Sequence, residues 1–145
     1  MDLQFFGGRG ASYAKNGKTY KYRGKEYKYG EEYTTLAEFG KVKVIKINEG
    51  SPTAPMETQT KGRIYATVNK NNEIKTISFY DDTGKRTKQI DLDGHAHNGV
   101  KPPHTHLGYK HTENGFHDTD KKEWKQVYRI LRLWNNYRKG YTNGF

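Results

Sequence analysis

Between Arg63 and Leu92 the chain holds three short runs rich in β-branched and aromatic residues: Ile64-Tyr-Ala-Thr-Val68, Ile74-Lys-Thr-Ile-Ser-Phe-Tyr80 and Arg86 to Leu92. They are separated by Asn71-Asn72 and by Asp82-Thr-Gly84, residues that tolerate the positive φ of tight turns. Short alternating runs joined in this way predict an antiparallel meander. Whatever else the chain builds must pack on that sheet.

The last 25 residues supply a partner for it. Asp120 followed by Glu123 predicts an N-cap with a capping box, Gly140 stands where a C′ glycine belongs, and Arg138 and Lys139 suit the negative end of the helix dipole. Trp124, Val127, Tyr128, Leu131 and Trp134 recur at helical spacing and predict the apolar face, with Trp124, Leu131 and Trp134 entering the core. The fold class read from these elements is α+β, an antiparallel meander of roughly five or six strands with one amphipathic C-terminal helix.

Composition limits the size of the core. Leu, Ile, Val and Phe together number only 24 of 145 residues, while tyrosine alone contributes 12. Tyrosine buries its ring and satisfies its hydroxyl at the edge, so a sheet faced with tyrosine can fold with few aliphatics. Residues 1–12 read as a flexible leader, 13–48 as Tyr/Lys-rich strands and 49–60, with Gly50, Pro52 and Pro55, as a loop or hinge. Residues 61–145 then hold the meander, a His-rich loop and the basic helix, with 13–145 forming one domain. Within the first part, Thr34 to Phe39 reads as one helical turn ended by Gly40, and Lys41 to Asn48 as a strand.

Two features bear on binding. The formal charge is +10, and the final 25 residues hold seven of the 26 basic side chains and one of the 16 acidic ones. Lys122, Lys125, Arg129 and Arg132 fall at spacings of three and four, a single-sign stripe that gains nothing from internal ion pairs and suits a polyanion. Nucleic acid, RNA or DNA, is the expected partner, and an acidic protein the alternative. Nearer the start, Asn16-Gly-Lys-Thr-Tyr-Lys-Tyr22 is followed at once by Arg23-Gly-Lys-Glu-Tyr-Lys-Tyr29, a repeat with strand alternation. It would set Tyr20 and Tyr22 opposite Tyr27 and Tyr29. Those rings serve either as cross-strand packing or as a stacking surface for bases beside lysines that meet phosphates.

All six histidines lie between positions 95 and 117. His95 with His97, and His104 with His106, are spaced by two, so on extended backbone each pair points one way, and the Gly/Pro-rich segment between could fold the pairs together. With Asp91 or Asp93 such imidazoles could hold Zn, Mn or Ni, the metal ligands being His95, His97, His104 and His106. Without metal, His104, His106, His95 and Asp91 could act as acid and base in phosphodiester cleavage, with Lys101, Lys110 or Arg86 near the developing charge. A polar loop whose histidines only hydrogen-bond is the third reading. With no cysteine in the chain, disulfides and thiolate zinc sites are excluded, which fits a reducing compartment. No run reaches the ~18–20 apolar residues of a membrane span, and no secretory h-region is found.

Two stretches resemble known families. The opening MDLQFFGGRGAS resembles the leader of proteins encoded in the head-assembly region of tailed phages and prophages of Gram-positive bacteria. Residues 77–95, ending Gln-Ile-Asp-Leu-Asp-Gly-His, followed by Pro103-His-Thr-His106, resemble the His-rich C-terminal modules of bacterial polymorphic toxins and of some phage head proteins. That likeness covers about 35 residues of the chain. Several such modules are presumed ribonucleases of the barnase, EndoU, colicin and RelE group. The resemblance therefore implies acid–base RNA cleavage, carried over here to Asp91, His95, His104 and His106. It implies a setting in the bacterial host cytoplasm or the virion. A non-enzymatic virion or host-takeover protein that binds nucleic acid through its basic helix is the other reading of the same likeness.

Overall fold

The computed structural model describes residues 18–94, 101–109 and 115–140. The fold is α+β. A hairpin, β1 (Thr19–Tyr22) and β2 (Lys25–Lys28), stands apart as a two-stranded sheet. A seven-stranded sheet follows in chain order: β3 (Tyr33–Phe39), β4 (Val42–Ile47), β5 (Ile64–Val68), β6 (Ile74–Tyr80), β7 (Arg86–Asp91), β8 (His104–Leu107) and β9 (Phe116–Asp118). One helix, α1 (Lys121–Arg138), closes the described chain.

The meander is present as β5, β6 and β7. The sheet is not antiparallel throughout, however, because β4 pairs with β5 in parallel. Parallel neighbours need a crossover, and residues 48–63 supply it. This segment is packed rather than hinge-like. Ala54 and Thr58 are buried, Thr58 N donates to Gly84 O (2.8 Å), and Glu57 bridges to Lys85 across the β6–β7 turn. Gly84 is obligatory there, since it has a φ of +86° and a Cβ added to it would lie 2.0 Å from Thr58 O.

Thr34 to Phe39 is strand, not a helical turn. Tyr33 and Ala37 are buried while Thr34 and Thr35 are exposed, and Gly40, at a φ of +61°, reverses the chain into β4. Pairing with β4, buried from Val42 to Ile45, overrides a local pattern that a short window reads as helical. In the hairpin, Arg23 and Gly24 take φ of +51° and +78° as a two-residue turn. The register sets Tyr20 opposite Tyr27 but Tyr22 opposite Lys25, one pair fewer than the repeat predicts.

Each face of the large sheet has its own core. On one face α1 buries Val127, Ile130 and Trp134 against Val42, Val44, Ala66, Val68, Ile77 and Ile90. Trp124 and Leu131 are only partly buried at its edge, and Tyr128, predicted for the apolar face, is 61% exposed. Ile130 takes the position facing the sheet instead, and Leu133 is buried outside that core cluster. The helix is cut where its sequence indicates. Asp120 caps Glu123 N at 2.7 Å, and Glu123 returns the bond to Asp120 N at 3.0 Å.

The opposite face carries the tyrosines. Tyr33, Tyr65 and Tyr80 pack with Ile45 and Ala54, and their hydroxyls are satisfied. Tyr65 shares hydrogen bonds of 3.0 Å with both Tyr33 and Thr58, and Tyr80 donates to Pro55 O. Rings replace the missing aliphatics, as composition requires. The hairpin joins the large sheet in the same way: Tyr20 donates to Glu32, and Tyr29 and Tyr109 donate to the two oxygens of Glu57 at 2.9 and 2.7 Å.

Candidate functional site

β7 and β8 pair antiparallel with Asp91 opposite His104 and Gln89 opposite His106. Successive side chains alternate faces, so Ile90 and Thr105 turn toward α1 while Gln89, Asp91, His104 and His106 share the other face. Spacing by two on each strand is what brings these four together. His106 Nε2 lies 2.5 Å, and His104 Nε2 3.3 Å, from the same Asp91 oxygen, Oδ2. The imidazole centroids are 4.7 Å apart, and Phe116 packs edgewise on His106 at 4.5 Å. His104 and His106 are 0% and 2% exposed, and Asp91 is 9% exposed.

The carboxylate is oriented from behind. Its second oxygen, Oδ1, accepts from Gln89 Nε2 at 2.8 Å, and Gln89 Oε1 accepts from both Ser78 Oγ and Arg86 Nη1 at 2.9 Å. Arg86, itself buried, also donates to Tyr109 O at 3.1 Å. Burial pushes the Asp91 carboxyl up, but hydrogen bonds from His106, Gln89 and His104, together with the His106 charge, outweigh it and hold the group below the usual carboxylate range.

Asp91, His104 and His106 could hold a metal ion, since one donor atom from each lies within 4.8 Å of the others. Two ligands each about 2.0–2.1 Å from a tetrahedral ion stand roughly 3.3 Å apart. The His104–Asp91 separation already has that value. The His106–Asp91 contact would open by under about 1 Å, a side-chain rotation. A supported carboxylate and two imidazoles are a donor set for borderline divalent ions.

Of the other residues singled out from sequence, His95, His97, His111 and Lys110 lie outside the described residues. Asp93 and Lys101 are exposed, and among the described residues Asp93 joins no group of metal-ligating side chains. His117 stands on the α1 side, 3.9 Å from Glu123. Of the three cations named from sequence, Arg86 is tied to the centre at one remove, its Nη1 donating to Gln89 Oε1 while Gln89 Nε2 donates to Asp91 Oδ1. Gln89 and Ser78 are missed by sequence reasoning; the two-residue spacing of Gln89 from Asp91 puts it on the same strand face, but nothing in its residue type singles it out.

The basic stripe lies elsewhere. Lys122, Lys125, Arg129 and Arg132 are all exposed on the side of α1 away from the sheet, and among the described residues none of them has an ion-pair partner. Tyr128 borders this stripe and stacks on Trp124, ring centroids 5.2 Å apart and planes 26° from parallel. The hairpin tyrosines are engaged inward. Tyr20 is buried and stacks on Tyr27 at 5.3 Å, Tyr20 meets Tyr29 at 5.0 Å, and Tyr22 meets Tyr109 edge-on at 5.9 Å. Beside them a cavity of about 590 Å³ is lined by Tyr20, Tyr22, Lys25, Glu31, Glu32 and Glu49, among others. Burial raises the Glu32 carboxyl to about 7, against the lowering effect of its bond from Tyr20. Three acidic groups against one lysine make this cavity a poor seat for a polyanion.

The chain matches no protein-family model, no curated protein and no solved structure.

Proposed function

We propose that this protein binds nucleic acid through the outward face of α1 and carries a divalent metal, zinc by the chemistry of its donors with Mn and Ni as competitors, at Asp91, His104 and His106. The observation that carries the binding reading is the set of four exposed cations, without an ion-pair partner among the described residues, on one helix face of a +10 chain. Solvent alone gives such a stripe no stabilisation, whereas each phosphate it meets releases a condensed counterion. A phage or prophage protein of this kind would act in the host cytoplasm or the virion.

Neutralising Lys122, Lys125, Arg129 and Arg132 to glutamine is expected to flatten the salt dependence. The slope of log affinity against log salt should fall by about 3–4, or about 0.7–0.9 for each phosphate no longer engaged. Fluorescence anisotropy with a labelled oligonucleotide across a salt series measures it. An unchanged slope would move the binding surface to Lys18, Lys21, Arg23, Lys25 and Lys28, which are exposed on and beside the hairpin.

The metal is tested separately. Chelator-stripped protein should take up about one equivalent of Zn²⁺ by calorimetry, Co²⁺ should give the visible bands of a tetrahedral site, and His104→Ala/His106→Ala should lose both. Gln89→Ala, which leaves all three ligands in place, should weaken binding by about 10- to 100-fold. Uptake by folded protein that survives the double alanine variant would place the ion elsewhere.

Phosphodiester cleavage at the same centre is a second reading, favoured by the convergence of two imidazoles and a carboxylate with Arg86 behind them. A scissile phosphate must come within hydrogen-bond reach of a ring nitrogen, and rings that are 0% and 2% exposed offer little access. Binding is therefore the reading put first. Incubation with labelled RNA and DNA, with and without EDTA, decides it: cleavage that is lost in the His104→Ala/His106→Ala variant would establish the enzymatic role.

A further inference from the structure

We infer that the nucleic acid taken up by α1 is single-stranded, and that Tyr128, braced by Trp124, is the platform on which one of its bases stacks. The inference rests on the binding reading given above and adds to it the strandedness of the ligand.

Tyr128 is a large ring left 61% exposed on a helix whose other face is buried. Its position is held, because the ring lies nearly parallel on Trp124, and Trp124 is packed against the core between helix and sheet. A braced aromatic loses little freedom when a second ring stacks on it. Lys125 and Arg132 stand three residues before and four after Tyr128, so the ring is bordered by two cations of the stripe on the same side of the helix. From Lys121 to Arg132 the basic face is about 16 Å long at 1.5 Å per residue. At roughly 3.4 Å per stacked nucleotide that is about five nucleotides, within the site sizes of single-strand binders.

Strandedness follows from what each ligand can offer the ring. Inside a duplex each base is covered on both faces by its neighbours, only the terminal pairs leave a face open, and the grooves present only edges and backbone. Phosphates could engage the lysines and arginines, but Tyr128 would have no π-face to meet. An unpaired strand offers both at once, phosphates to the stripe and a base to the ring. The tyrosines of the β1–β2 hairpin are engaged with one another, with Tyr109 and with Glu32 and Glu57, and Tyr128 is the most exposed aromatic among the described residues.

The test uses the full chain and 12-nucleotide labelled oligomers of one mixed sequence, single-stranded and duplex, in DNA and RNA forms at matched salt. Single strands of either sugar should bind at least about ten-fold more tightly than the duplex. Tyr128→Ala should remove about that factor for single strands, leave duplex binding unchanged and leave the salt slope unchanged, while Tyr128→Phe restores the affinity. Being so exposed, Tyr128 is replaceable without loss of fold, which circular dichroism verifies. Equal affinity for duplex and single strand, or a Tyr128→Ala variant that binds single strands like the parent, would overturn the inference and leave the binding reading in place. No binding of any oligomer by folded protein would remove the binding reading and this inference with it.

Discussion

Replacing Trp134 with alanine will lower the free energy of unfolding by about 3–5 kcal/mol, the largest effect expected of any single truncation on α1. The indole is 5% exposed within the core shared by helix and sheet, so truncation leaves a cavity lined by Val68, Ile74 and their neighbours. Its Nε1 also donates to Asn72 O at 2.9 Å, fastening the C-terminal half of α1 to the β5–β6 turn, where Asn72 holds a φ of +63°. The substitution therefore removes this hydrogen bond as well as the buried area. Urea denaturation followed by far-ultraviolet circular dichroism measures the change. Tyr128→Ala is the matched control on the same helix, with an expected effect within about 0.5 kcal/mol. Similar midpoints for the two variants would mean that α1 is not held to the sheet by its apolar stripe.

The contrast between these two rings shows where sequence periodicity is informative and where it stops. The window from Trp124 to Trp134 locates the apolar side of α1, and the capping residues Asp120, Glu123 and Gly140 locate its ends. Periodicity cannot rank residues at the border of that side, and Tyr128, a residue with a wettable edge, falls outside it while Ile130 falls inside. The same limit explains β3. Six residues are too few to separate 3.6 from 2.0 periodicity, and the deciding pairing is with β4, which is buried on both faces from Val42 to Ile45. The parallel β4–β5 pair is a matter of topology. Nothing local in Glu49 to Thr60 distinguishes a crossover from a hinge; what distinguishes them is the docking of Ala54, Thr58 and Glu57 onto the β6–β7 turn.

At the candidate centre the sequence is more legible, because its geometry depends on strand alternation alone. His104 and His106 must share a face, and any strand paired with β8 in register presents its own alternate residues to them. Asp91 is a candidate on that ground. Which carboxylate joins them, Asp91 or Asp93, depends on where β7 ends, and the strand closes at Asp91, leaving Asp93 in solvent. The supporting chain from Arg86 through Gln89 is not legible, since neutral glutamine carries no charge pattern to single it out.

Glu123 makes the second large effect, and it ties the helix that bears the basic stripe to the strand that bears the two histidines. The residue is 5% exposed. Oε1 accepts from Asp120 N and from Thr105 Oγ1, each at 3.0 Å, and Oε2 lies 3.3 Å from Lys88 Nζ. Thr105 stands between His104 and His106 on β8, and Lys88 lies on β7, so one carboxylate joins the first turn of α1 to both strands of the candidate centre. Glu123→Ala loses the reciprocal cap, about 1 kcal/mol. It also leaves the Thr105 hydroxyl with only the longer 3.3 Å bond to Thr119 Oγ1 and strips the carboxylate from the Lys88 ammonium, whose side chain is three-quarters buried, at about 1–3 kcal/mol for a group left unmet. A total of about 3–4 kcal/mol is expected, allowing for relaxation of Lys88 toward solvent. Glu123→Gln keeps an acceptor for the cap and for Thr105 and loses only the charge, so it should cost about 1–2 kcal/mol. Asp120→Ala, which removes the cap alone, should cost about 1 kcal/mol. A larger loss for Glu123→Ala than for Glu123→Gln, measured by urea midpoints, is the outcome that shows Glu123 working through β7 and β8 as well as at the helix end. If Glu123→Ala cost no more than Asp120→Ala, the carboxylate would be a helix cap and nothing else.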